Sequence, residues 1–365
     1  MKNKIFITLL VITLLVFFVP ASAQAQDGLV RVSSIAVVNF PNSILIMIEA
    51  ASDVNITDIR VHYTVERQSF AKVISEAYVY FTPAKEVTAQ WVWDMRRTGE
   101  LPTGTEITYW ITVSDNSGRT SDTLPGVIHY DDDRYEWKTL QEGQITLFWY
   151  SGDDAFGAEL MGAAQIALTN LAENTGASLT SAVKLYIYAS STDLQGAMIN
   201  PQDWTGGVAY SQYGTIAIGI EPVTELAWGE RTISHELTHL VTYQVTANPY
   251  GDLPNWLTEG LAMFSEGPLD ASFVNALSIA EMGHNLISVR SLCSPFSAYS
   301  NQAILAYAES YDIVSYLINE YGRDKMFDLL SVFQQGSGYD DALNSVYGFD
   351  MDALNSLWQT ELVTP

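Results

Sequence analysis

Two hydrophobic periods divide this 365-residue chain. In its first third, apolar and polar side chains mostly alternate through 30–40, 43–49, 59–65, 76–81, 87–93 and 107–113. That period-two pattern predicts strands with one buried and one solvated face. Turn-forming groups separate them: Pro41-Asn42, Ala51-Ser52-Asp53, Pro102-Thr103-Gly104 and Asp115-Asn116-Ser117-Gly118. Short strands punctuated in this way predict an antiparallel β-sandwich.

The run Tyr109-Trp110-Ile111-Thr112-Val113-Ser114, leading into the 115–118 turn, has the strand-and-turn texture of immunoglobulin-like domains. Asp131-Asp132-Asp133-Arg134 marks a junction and reads as a solvated charged turn. No spaced set of oxygen ligands follows it, so calcium is not expected there. Beyond the junction the pattern is mixed. Strands are expected at 145–150, 183–188 and 215–220, with a helix at 154–173. From about 225 the chain reads as mostly helical, including 298–321, 324–334 and 350–362. A small sheet leading into a helical subdomain is an α+β arrangement. The expected organisation is thus a sandwich over 28–132 and an α+β domain over 135–365.

The amino terminus carries a different signal. Met1-Lys2-Asn3-Lys4 precedes an apolar run over 5–19, broken only by Thr8 and Thr13, and Pro20-Ala21-Ser22-Ala23 follows. A basic start, a short apolar stretch and a small-residue exit predict a signal peptide over 1–25. The run is shorter than the ~20 residues that span a bilayer. The mature protein is therefore expected to be secreted or held at the cell surface, with no stable membrane insertion. Removing Lys2 and Lys4 takes the formal net charge from −25 to −27. Such acidity argues against a nucleic-acid partner, whose phosphates require clustered Lys and Arg. Cys293 is the single cysteine, so no intrachain disulfide forms.

Candidate chemistry lies in Ser234-His235-Glu236-Leu237-Thr238-His239. Residues four apart on an α-helix project about 40° apart, one turn along. Both imidazoles then share one face and can bind one tetrahedral Zn²⁺. Glu236 flanks that face and can reach a metal-bound water without ligating the metal. Ile233, Leu237, Leu240 and Val241 form a separate apolar stripe, and neither Gly nor Pro interrupts 230–247. Catalytic zinc needs a third protein ligand and one open position. Glu259, separated from His239 by nineteen residues, meets that need: a turn at Asn248-Pro249-Tyr250-Gly251 and a helix start at Asp252-Leu253-Pro254-Asn255 let the chain return.

His-Glu-Leu-Thr-His followed by Trp-Leu-Thr-Glu-Gly-Leu-Ala at 256–262 resembles the gluzincin zinc metallopeptidases. The likeness is to their bacterial peptidase-MA-like branch, related to the zinc aminopeptidases. It implies His235, His239 and Glu259 as ligands, Glu236 as base, and a peptide or protein substrate. Thermolysin-like members carry an aspartate four residues after the third ligand, where this chain has Met263. Tyr307-Ala308-Glu309-Ser310 resembles the Tyr-Glu-Lys-Gly helix of the aminopeptidase branch, which implies Tyr307 as an oxyanion donor. That branch also grips a free amine with a Gly-x-Met-Glu-Asn strand. The comparable Trp204-Thr205-Gly206-Gly207-Val208-Ala209-Tyr210 lacks the glutamate. A secreted zinc peptidase is expected. The alternatives are aminopeptidase specificity, or a non-catalytic surface protein with a relic metal site.

Overall fold

Alternating burial runs through the first third of the computed structural model, which describes residues 30–362. The expected signal peptide at 1–25 lies outside the described residues. In chain order come β1 (Arg31–Asn39), β2 (Ser43–Ala51), β3 (Ile56–Val65), β4 (Ser75–Tyr78), β5 (Glu86–Asp94), the one-turn helix α1 (Met95–Thr98), β6 (Thr105–Asp115), β7 (Thr120–Asp122) and β8 (Gly126–Tyr130). One antiparallel sheet has the order β1-β2-β5. The other runs β4-β3-β6-β7, with β8 also on β6. Ile44, Ile46, Ile48 and Trp93 of the first sheet share a core with Ile59, Val61, Ile107, Ile111 and Val113 of the second. Two sheets closed over one apolar layer make the expected sandwich.

The junction differs from its reading as a solvated turn. Asp132 is buried. Its carboxylate accepts from Arg134 Nε (2.7 Å) and Nη2 (2.6 Å), and from the Tyr188 hydroxyl (3.1 Å). A buried carboxylate needs such partners, and here they tie the end of the sandwich to the next sheet.

That sheet comprises β9 (Lys138–Glu142), β10 (Ile145–Trp149), β11 (Val183–Tyr188), β12 (Gly207–Tyr210) and β13 (Thr215–Gly219), in the order β12-β13-β11-β10-β9. β10, β11 and β13 are parallel, and the edge strands β9 and β12 are antiparallel to them. α2 (Asp154–Thr175) follows β10, and α3 (Ser191–Gln195) follows β11. One face of the sheet packs Ile145, Leu147, Leu185, Ile187, Ile216 and Ile218 against helices. The other carries Tyr186 and Tyr188 toward the sandwich, where Lys184 Nζ donates to the Gly104 carbonyl (2.6 Å).

The remainder is helical: α4 (Leu226–Thr246), α5 (Asn255–Ser265), α6 (Ala271–Met282), α7 (Ser300–Tyr321), α8 (Arg323–Gln334), α9 (Tyr339–Tyr347) and α10 (Met351–Leu362). Val241, Trp256, Leu257, Leu261, Ile313, Leu317, Leu329 and Trp358 belong to its core. Gly260 permits the close approach of α7 to α5, because a Cβ there would lie 2.3 Å from the Ser310 carbonyl oxygen. No helix among the described residues is long and apolar enough to cross a membrane. The fold is α+β, as the patterning indicates.

Candidate metal centre

α4 is a wedge between two cores. Ile233, Leu237 and Leu240 are buried against the sheet, and Val241 against the helical core. Each such side chain stabilises the fold by roughly 1.5–3 kcal/mol, which fixes the rotation of the helix. The opposite face then presents His235 and His239, whose Nε2 atoms are 3.0 Å apart. α5 begins after Pro254, buries Trp256 and Leu257, and turns Glu259 back toward α4. Glu259 Oε2 lies 3.6 Å from Nε2 of His235 and 3.5 Å from Nε2 of His239. The two helices are also joined directly. Ser234 Oγ donates to the Ser265 carbonyl (2.8 Å), and Thr238 Oγ1 donates to Ser265 Oγ (2.7 Å).

This donor set fits a small dication. Glu259 Oε2 is buried and has no hydrogen-bond partner, an orphan that a positive ion would satisfy. Tetrahedral zinc with bonds of about 2.0–2.1 Å separates its ligand atoms by about 3.3 Å, close to the spacings here. His235, His239 and Glu259 form the one such group of three among the described residues. The electrostatics agree. Burial raises the pKa of Glu259, but His239 and His235 overcome it and hold the carboxyl well below its usual range. Burial lowers the pKa of His235, yet Glu259 and Glu266 hold it up at about 10. The pocket therefore favours positive charge.

The sequence model of the Peptidase MA superfamily matches residues 163–364, more than half of the chain. The chain belongs to the Peptidase MA superfamily. No curated protein gives a significant match. Among solved structures, this Peptidase MA chain is similar to the M1 zinc metallopeptidase of Deinococcus radiodurans, at 11% identity and a TM-score of 0.36, over 93% of this chain and 95% of that one. It is also similar to aminopeptidase A of Legionella pneumophila, at 11% identity and a TM-score of 0.40, over 90% and 50% of the respective chains. A shorter match is to OgpA of Akkermansia muciniphila, at 13% identity and a TM-score of 0.23, over 29% of this chain. The chain covers 28% of OgpA's own length.

The Peptidase MA chain brings its sequence-predicted residues to one cleft of about 850 Å³, lined by His235, Glu236, His239, Glu259 and Tyr307. Glu236 is 8% exposed. Burial raises its pKa, and the neighbouring imidazoles oppose the rise. Gly207 of β12 explains how the edge strand approaches this carboxyl: a Cβ there would lie 2.8 Å from Glu236 Oε1 and 2.9 Å from Thr232 Cγ2. Tyr307, on α7, has its pKa raised first by burial and then by the charges of Glu259 and Glu236.

Two further residues escaped the sequence reading. Glu266 caps the end of α5 and accepts from Nδ1 of His235 (2.7 Å), while its other oxygen meets Arg231 Nη2 (3.3 Å). Its spacing of seven from Glu259, two turns along the same face, was the available signal. Glu100 enters the cleft from the sandwich. It accepts from the Tyr210 hydroxyl (2.9 Å) and the Ile199 N–H (2.6 Å). Only the docking of the two regions reveals it.

Proposed function

We propose that this chain is an exported, zinc-dependent peptidase in which His235, His239 and Glu259 hold the metal and Glu236 is the general base. The carrying observation is the convergence of Nε2 of His235, Nε2 of His239 and Oε2 of Glu259 within 3.0–3.6 Å of one another. When bound, zinc supplies a Lewis acid that polarises the substrate carbonyl and lowers the pKa of water.

The chain's own residues do the rest. Glu266 holds the Nδ1 proton of His235, leaving Nε2 free as a ligand. Glu236 takes a proton from the attacking water and passes it to the leaving amine. Its burial raises its affinity for that proton and keeps bulk water away. The Tyr307 hydroxyl donates to the oxyanion that develops on the scissile carbonyl. A substrate backbone pairs along β12, whose outer edge has no strand neighbour among the described residues.

A second reading, aminopeptidase action, is favoured by Glu100. This carboxylate borders the cleft, and its hydrogen-bond partners among the described residues are the neutral donors Tyr210 and Ile199. It can therefore meet a substrate ammonium although the 204–210 segment carries no glutamate. Digestion of a peptide library with and without chelator tests the main reading: chelator-sensitive cleavage supports it, and no cleavage by zinc-loaded protein overturns it. Comparing free with acetylated amino termini separates the two specificities.

A further inference from the structure

Nine tryptophans occur in the chain, and seven are buried or half-buried. The other two, Trp204 at 47% and Trp228 at 43% exposure, both line the cleft that holds the metal triad. Exposing an indole forgoes a large burial gain, so finding both exposed rings in one cleft calls for a ligand. Trp228 lies on α4 seven residues before His235. That is two turns along nearly the same face, about 10.5 Å down the helix axis. Its ring packs on Gly206, where a Cβ would come within 2.8 Å of Trp228 Cη2. Two residues away, Trp204 Nε1–H donates to the Ala298 carbonyl (2.8 Å). This bond pins the ring and uses its only donor, so an apolar face is what it offers.

We propose that Trp204 and Trp228 form a subsite for a large apolar, above all aromatic, side chain of the substrate peptide. The inference rests on the peptidase reading and deepens it. An extended peptide advances about 3.4 Å per residue, which sets the recognised residue within about three positions of the bond cut. Met198, Met263 and Phe273 add apolar surface to the same cleft. A sugar ring would need free hydrogen-bonding side chains around the indoles. Two of the carboxylates nearby, Glu266 and Asp270, are paired with Arg231 instead. The two indoles and the Met and Phe side chains beside them offer mainly apolar contact.

The test uses matched peptides that differ by Phe or Ser at one position, with cleavage and binding read separately. Wild type is expected to favour Phe in kcat/KM by about 10- to 100-fold. Trp228→Ala should reduce that ratio below about 3-fold, and Trp228→Phe should restore most of it. Binding is followed by indole fluorescence in the zinc-loaded Glu236→Gln protein. The Phe peptide should give a saturable emission shift that Trp204→Ala and Trp228→Ala each weaken. Cleavage with no Phe preference, or with a preference that Trp228→Ala leaves intact, overturns the subsite while the peptidase reading stands. Saturable Phe-peptide binding without cleavage supports the subsite and removes the peptidase reading. Neither cleavage nor binding, or a shift produced only by a soluble oligosaccharide, overturns the subsite.

Discussion

Oε1 of Glu266 lies 2.7 Å from Nδ1 of His235, on the far side of the ring from Glu259 and His239. The carboxylate requires a proton on Nδ1, which leaves the Nε2 lone pair directed at the triad. Glu266→Ala is expected to lower zinc affinity by about 10- to 100-fold with helical content unchanged by circular dichroism. Glu266→Gln should lose less, because its carbonyl still accepts. Competition with a chromogenic chelator measures both. An affinity equal to wild type in the alanine variant would show that Glu266 does not orient the ring.

Glu236→Gln separates chemistry from metal binding. The amide is nearly isosteric but cannot take a proton, so hydrolysis should fall by at least about 10²- to 10⁴-fold while zinc content stays the same. Elemental analysis and a peptide assay on one preparation check this. Residual activity near wild type would remove Glu236 as the base.

Tyr307→Phe deletes only a hydroxyl. Loss of an oxyanion donor typically costs about 10²- to 10³-fold in kcat, with little change in KM. A fall in KM-linked binding alone, with kcat preserved, would assign Tyr307 to packing against Phe296, whose ring centroid is 5.1 Å away.

Glu309 gives a pH-dependent expectation away from the metal. It is fully buried, and both its oxygens accept from the Ile287 N–H (3.0 and 3.1 Å). Burial raises its pKa to about 8, with Asp312 adding to the rise and the Ile287 bond opposing it. The folded state thus holds the proton more tightly than the unfolded one. Its contribution to stability is complete below the ordinary value of 4.5 and is lost as pH rises through about 8. Glu309→Gln keeps an acceptor without the charge. Its thermal midpoint should exceed wild type at pH 9 by roughly 2–4 °C per kcal/mol recovered, and the gap should close toward pH 5. A constant gap across that range would contradict the burial argument.

Local periodicity made much of the molecule legible. The stripe Ile233, Leu237, Leu240 and Val241 gave the rotation of α4, and hence the face that carries the histidines. Helices at 298–321, 324–334 and 350–362 are found as α7, α8 and α10 within two residues at each end. The edge strand β9 was missed because it is mostly polar, whereas β12, four residues long and beginning with glycine, was indicated only by the family resemblance at 204–210. α6 falls in the stretch read as mostly helical but was not delimited, because apolar residues occupy several of its faces and leave no clean stripe. Glu100, Glu266 and the buried Asp132 depend on partners 110, 31 and 56 positions away. For Glu100 and Asp132 no pattern within one element announces such partners, whereas for Glu266 only its spacing of seven from Glu259 hints at the role.

The most direct test is zinc stoichiometry in wild type and Glu259→Ala after dialysis against a weak chelator. One zinc per wild-type chain, and a small fraction of that in the variant, is expected from three donors converging on one ion. Equal zinc in both proteins, or none in either after reloading, would contradict the metal centre described above.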